Sequence, residues 1–300
     1  MKVLVSGSTG LVGSTLVPFL TSEGHSITRL VRAKKASNGP QVEWDPVTGA
    51  VDKALLEGYD AVVHLAGDNI ASGRWTAEKK ATIRDSRVNG TRFLCQALAG
   101  LESPPGVLVS ASAIGYYGNR GDELLTETSG PGQAFLSDVC LKWEAATEAA
   151  AQKGIRVVSL RIGVVLSTKG GALSKMLPPF QLGMGGVIGS GRQYMSWIAV
   201  DDVAGVIHHV LANEQLSGPV NAVAPNPVTS SEFTRALGKV LSRPTIFPVP
   251  EFACRLAFGE MADEILLAST RVEAGKLKVS GYSFRYPEIE GALRHLLGRS

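Results

Sequence analysis

Gly7, Gly10 and Gly13 recur at a spacing of three directly behind the apolar run Val3 to Val5, which Ser6 closes, and apolar residues then continue at helical spacing through Leu20. Strand, tight turn and helix in that order form a unit suited to phosphates. The first glycine lets the chain turn sharply, the second lets backbone approach a pyrophosphate, and the third lets helix pack closely on strand. The helix N-terminus adds free N–H groups and the positive end of its dipole. Gly7, Ser8, Thr9, Gly10, Leu11, Val12 and Gly13 are therefore the residues expected against a dinucleotide. A second strand over Ser26 to Val31 ends at Arg32, followed by Lys34 and Lys35, with no Asp or Glu between Glu23 and Glu43. An acidic side chain at that place would hold a ribose 2′-hydroxyl, whereas an arginine accommodates a 2′-phosphate. Arg32 therefore points to NADP(H), and Lys34 and Lys35 read as a solvated basic loop.

Ser112, Tyr116 and Tyr117 stand together in a stretch flanked by Gly115 and Gly118. A serine hydroxyl there can orient a substrate oxygen and a phenol can donate a proton, so these three are the catalytic candidates. Asp68, Asn69 and Arg74 follow the apolar run Asp60 to Ala66 and could line a pocket, with Arg192 and Tyr194 approaching from the later part of the chain. His64 lies inside that run and reads as a structural histidine.

The elements that must carry these residues alternate. Strands are expected at Val42 to Trp44, Asp60 to Ala66, Gly106 to Ser110 and Ile155 to Leu160, with helices at about 76 to 99 and 134 to 153. Such βαβ alternation implies a doubly wound parallel sheet covered by helices on both faces. Leu65, Ala66 and Gly67 then form a strand tip where the second half of a dinucleotide would lie. Beyond Lys169 glycines punctuate the chain. There a helix is expected at Leu173 to Leu182 and a strand at Ser196 to Ala199. Asp201 and Asp202 should cap a helix running to Leu211, a strand should follow at Val220 to Ala222, and Thr229 should open a helix running to Leu241. The division expected is a nucleotide-binding domain over 1–168, completed by 195–223. A smaller, mainly helical substrate subdomain is expected from 169–194 and 224–300.

Composition excludes several classes. The 300 residues carry 30 basic and 27 acidic side chains, a net charge of +3 without blocks of like sign, so neither nucleic acid nor a membrane surface is the expected partner. Three scattered cysteines, Cys95, Cys140 and Cys254, suit neither a disulfide framework nor a metal site. A cytoplasmic protein acting on a small molecule, alone, as a homodimer or with a protein partner, is the expectation.

In combination the motifs resemble the extended short-chain dehydrogenase/reductase superfamily, which includes the sugar-nucleotide epimerases and dehydratases. Those motifs are Gly7-x-x-Gly10-x-x-Gly13, His64-Leu65-Ala66-Gly67, Val88-Asn89-Gly90-Thr91, Ser112 with Tyr116 and Gly118, and Trp197-Ile198-x-x-Asp201-Asp202. Leu65 to Ile70, Arg74-Trp75, Ser86-Arg87, Lys142-Trp143-Glu144, Ile188 to Gly191 and Asn221-x-Val223-Ala224-Pro225 narrow the resemblance. They are similar to the atypical epimerase-family branch with a small C-terminal helical domain, some members of which bear the name of cell-division inhibitors. The resemblance implies NADP(H) held by the Gly7 to Val12 turn, Val31 and Arg32, Leu65 and Ala66, Arg87, and the loop near Val165. It also exposes a departure. Superfamily enzymes pair a tyrosine with a lysine four residues on, one helix face bringing the ammonium to the phenol. No tyrosine here has that lysine, and alignment on Glu144 puts Leu136 at the tyrosine position and Cys140 at the lysine position. Lys142 is rotated about 200° away along the helix.

Overall fold

The computed structural model describes residues 1–33 and 39–299, so Lys34 and Lys35 lie outside the described residues. Seven strands make the central sheet: β1 (Lys2–Ser6), β2 (Ser26–Val31), β3 (Gln41–Glu43), β4 (Ala61–His64), β5 (Val107–Ala113), β6 (Arg156–Ile162) and β7 (Gly218–Ala222). They lie in the order β3-β2-β1-β4-β5-β6-β7, every pairing parallel. The chain thus winds outward in both directions from the β1/β4 seam.

The two-residue period of a strand sends alternate side chains to opposite layers. Val3 and Val5, Ala61 and Val63, and Val107 and Val109 pack with Leu16 and Leu20 of helix α1 (Gly13–Ser22) on one face. Leu4, Val62 and Leu108 pack with Leu94 and Leu98 of α2 (Ala77–Ala99) on the other. A third apolar cluster joins Leu173, Leu177 and Phe180 to Phe233, Leu237, Ala292 and Leu293. Three short ladders tie the later chain to the sheet's neighbourhood: Val164–Leu166 with Trp197–Ala199, Tyr194–Met195 with Val228–Thr229, and Leu124–Leu125 with Arg271–Val272.

The structure revises several expected bounds. The helix expected over 134 to 153 is two, α3 (Phe135–Ala145) and α4 (Glu148–Gln152), because the Thr147 hydroxyl turns back to the Glu144 carbonyl at 2.7 Å and ends the first. Strand β5 runs on to Ala113, since its register with β6 continues to Ala113 opposite Ile162, and Ser112 therefore sits in the sheet. The helix beginning at Val200 has Ala199 as its N-cap, and Asp201 and Asp202 fall in its first turn. Asp202, fully buried, instead accepts the Arg285 and Tyr286 amides at 2.8 and 3.0 Å, fastening the C-terminal segment to that helix. Thr229 does cap its helix, reciprocated by Glu232. All three cysteines are buried and free.

A polar chain crosses the seam. Buried His64 meets the Ser6 hydroxyl through Nδ1 at 2.6 Å and the Thr91 hydroxyl through Nε2 at 3.0 Å. The Leu65 amide donates to Ser6 Oγ and the Trp143 indole to Thr91 Oγ1. Two strands, α2 and α3 are thereby linked just below the strand tips, and burial pushes His64 down to about 4.

Two outcomes are expected. Asp202→Ala takes the acceptor from two part-buried amides and should lower unfolding free energy by about 1–3 kcal/mol in urea titrations, whereas an unchanged midpoint would remove Asp202 from this role. For His64 the folded chain binds its proton less readily than the unfolded chain, whose ordinary value is 6.5. Its contribution is complete above that pH and drains away as pH falls toward about 4. Urea midpoints measured from neutral to acid pH should therefore decline more steeply for the native chain than for His64→Gln, and parallel profiles would refute the assignment.

Candidate functional site

At the β1/β4 seam Gly7 adopts φ +68°, a region that disfavours any side chain, and a Cβ there would lie 2.6 Å from the Leu65 carbonyl carbon. A Cβ on Gly13 would strike the Gly7 carbonyl oxygen at 2.3 Å. The turn is thus closed against the β4 tip and against its own helix. Thr9 and Gly10 are exposed on it, Ser8 is buried beneath, and Leu11 and Val12 are half-buried. The N-cap of α1 is Val12, which provides no side-chain cap; the Ser14 and Thr15 amides bond the Gly10 and Val12 carbonyls at 2.9 and 3.1 Å, which leaves, among the described residues, the Leu11, Val12 and Gly13 amides for an external acceptor. An exposed glycine at the apex and an uncapped helix behind it fit a pyrophosphate.

The remaining residues expected around a dinucleotide frame the same seam. Arg32 is exposed at the end of β2, where the Val31 carbonyl accepts the Trp44 amide at 2.9 Å. Arg87 on α2 lies across Gly67, its guanidinium carbon 3.3 Å from where a Gly67 Cβ would stand. It donates to the Asp68 and Ile83 carbonyls at 2.9 and 3.1 Å and stacks 5.2 Å above Trp143. Burial draws that guanidinium below its usual range, and Asp68 is among the charges that oppose the shift. Half-buried Ala66 completes the strand tip, and half-buried Val165 lies in the ladder beside Trp197–Ala199.

The tyrosine and lysine positions are filled. A Cβ on Gly115 would meet Leu136 Cβ at 3.3 Å and Cys140 Sγ at 3.9 Å, so the loop after β5 rests directly on these two side chains. Burial pushes the Cys140 thiol up to about 12. Lys142 turns outward to Asp138.

The three catalytic candidates are drawn into one buried network. Ser112 donates to Glu144 Oε1 at 2.7 Å, and Glu144 forms a two-pronged ion pair with Arg161 at 2.8 Å. Arg161 also donates to the Tyr117 hydroxyl at 2.9 Å and lies 3.5 Å over the Tyr116 ring. Tyr117, with no exposed surface, donates in turn to Asn221 at 2.7 Å. Burial holds its phenol above the usual value against the pull of Arg161. Both of its hydrogen-bonding roles are thus spent inside the protein, and the Ser112 proton is committed to a carboxylate.

The residues expected in the pocket are dispersed. The Asp68 carboxylate pairs with Lys79, and Asn69 accepts the Ala71 amide within its own turn. Arg74 donates to the Leu256 carbonyl in the helix Glu251–Phe258. Arg192 is exposed, and Tyr194 lies under Arg271 at 4.9 Å. None of the five lines the cavity of about 260 Å³ beside Leu136, whose walls include Gly115, Asn119, Ala134, Asp263 and Glu264. A further hollow of about 350 Å³, between Pro225, Glu273, Tyr282 and Phe284, touches neither the glycine turn nor α3. Glu264 received no role from sequence, yet its carboxylate accepts the Phe135 and Leu136 amides at 3.0 and 2.8 Å and so caps α3. A partner 128 residues away leaves no local spacing by which to find it.

Comparison with known proteins agrees with this architecture. Residues 3–223 match the model of the NAD dependent epimerase/dehydratase family, and residues 249–296 match a domain of unknown function, DUF1731. An epimerase family protein of Mycobacterium tuberculosis is 43% identical over 99% of this chain and 98% of its own. The crystal structure of the human epimerase family protein SDR39U1, isoform 2, with NADPH, superposes with a TM-score of 0.92 at 34% identity and covers both chains completely. The nucleoside-diphosphate sugar epimerase from Corynebacterium glutamicum gives 0.81 at 38% identity, over 99% of this chain and 58% of that one. With a glycine turn at the seam of a seven-stranded parallel sheet and a family match across most of its length, the chain belongs to the NAD dependent epimerase/dehydratase family, within the extended short-chain dehydrogenase/reductases.

Proposed function

We propose that the protein is an NADP(H)-dependent oxidoreductase or epimerase-like enzyme acting in the cytoplasm on a small carbonyl or hydroxyl compound. The observation that carries this reading is the glycine turn, closed at Gly7 and Gly13, exposed at Gly10 and backed by an uncapped α1. The human relative crystallised with NADPH supports the choice of cofactor, as does exposed Arg32 at the β2 tip. The residues proposed to hold it are Gly7 to Gly13, Val31, Arg32, Leu65, Ala66, Gly67, Arg87 and Val165. When bound, the cofactor supplies or accepts a hydride. On the hydroxyl side of the reaction Ser112 then orients the compound by accepting its O–H, through the capacity it keeps once its own proton has gone to Glu144. Tyr117 holds the Arg161 side of that arrangement and supplies no proton, whereas the Tyr116 phenol, whose ring alone meets Arg161, exchanges the proton that balances the hydride. In this reading 1–168 with 195–223 binds the nucleotide, and 169–194 with 224–300 closes over the substrate.

One observation favours a second reading, a catalytically silent NADP(H)-binding regulator that works through a protein partner. Leu136 and Cys140 fill the positions of the usual acid–base pair, and neither exchanges a proton at neutral pH in that setting.

Single-turnover experiments separate the two. Protein loaded with NADPH and offered a library of carbonyl compounds should lose reduced-nicotinamide absorbance with at least one of them, whereas tight binding without turnover of any compound would establish the regulator. For the cofactor itself, Arg32→Ala should weaken NADPH by about 10–100-fold and NADH by far less, as expected for a charge-assisted contact with a 2′-phosphate. Equal loss for both nucleotides would sink that assignment.

A further inference from the structure

The cavity beside Leu136 opens where the family's tyrosine would stand, and among the described residues its walls contain no lysine, arginine or histidine. Its two charged groups are carboxylates from the C-terminal region. Asp263 is occupied by Arg255 at 2.9 Å. Glu264 is not so neutralised: among the described residues no cation stands within ion-pair distance of it, and each of its oxygens takes a single backbone amide of α3. The neighbouring ammonium of Lys80 is held by both Glu260 oxygens at 2.7 and 2.9 Å and lies 4.5 Å over the Phe135 ring. Glu264 is therefore a half-buried carboxylate with accepting capacity to spare, in a hollow whose walls, among the described residues, carry no cation, the nearby Lys80 being bound to Glu260.

We propose that Glu264 determines the substrate class of this site. The pocket takes a small compound that presents a hydrogen-bond donor, an ammonium or a hydroxyl, to the Glu264 carboxylate, and it rejects anions, nucleoside diphosphate sugars included. The inference rests on the reading of this cleft as the substrate site. Its physical basis is that a donor completes the carboxylate's solvation, whereas an anion meets like charge where water is partly excluded. Size points the same way, since about 260 Å³ lies below the ~300–1,000 Å³ common for drug-sized ligands.

Three probes of one shape test it: cyclohexylmethylamine, cyclohexylmethanol and cyclohexanecarboxylate, with UDP-glucose as the large anion. Their affinities are measured by titration calorimetry on the full chain, with and without NADPH. The amine should bind at least about tenfold tighter than the carboxylate, with the alcohol between them and UDP-glucose failing to compete. Glu264→Gln should bring amine and carboxylate within about threefold of each other while leaving the alcohol nearly unchanged. In the native chain, raising the salt concentration should compress the same ratio, a readout that does not depend on the variant's folding. The proposal is overturned if the carboxylate or UDP-glucose binds as well as the amine, if the preference survives Glu264→Gln, or if none of the three small probes binds. Failure to bind NADPH would instead strike the cofactor reading, because the probe preference remains measurable in the cofactor-free protein.

Discussion

The ion pair between Glu144 and Arg161 is the constraint on which the centre of the molecule depends. Arg161 is only 3% exposed, so its charge is stable only with a partner held in register. Glu144 comes from α3 and Arg161 from β6, and the guanidinium also grips Tyr117 and covers Tyr116. Any shift of α3 along the sheet would break a buried charge pair, and this fixes the helix that faces the cleft. Ser112 inherits its orientation from the same pair, because its proton goes to the shared carboxylate.

That rigidity explains how the site keeps its shape without the residues usual in this superfamily. A tyrosine–lysine pair would require space and water at the cleft face of α3. Here Leu136 and Cys140 give that face to the loop at Gly115, and the first turn of the helix is closed by Glu264. The polar group nearest the start of α3 has thus moved from the helix to the C-terminal region. A carboxylate that crosses to α3 from another part of the chain can alter the chemistry of the cleft without disturbing the nucleotide seam.

Sequence carried the nucleotide half of this picture because its determinants are local. Three glycines, a strand and a helix within the first two dozen residues define a turn whatever follows, and Arg32 stands at the end of the next strand. The sheet was legible for the same reason, each buried strand being a short apolar run. Asp202 was misread because its type and position suit a helix cap, while its actual partners, Arg285 and Tyr286, lie more than 80 residues on. The break after α3 depends on one threonine hydroxyl, which composition cannot distinguish from any other. Tyr117 looked available beside Ser112, but its partners Arg161 and Asn221 are brought in by β6 and β7. Tertiary pairing therefore governs these features that escaped the sequence.

Glu127 shows what this means for a chain emerging from its N-terminus. One of its oxygens accepts the Asn221 amide, 94 residues later, and the Lys276 amide, 149 residues later. Contacts across such separations form late, after the loop entropy of everything between has been spent. During synthesis the glycine turn, β2 and β4 can assemble while the other wall of the cleft does not yet exist. The cradle for the nucleotide thus comes into being before the C-terminal region has closed on Glu127, and a nucleotide arriving early would meet a half-built protein and stabilise it.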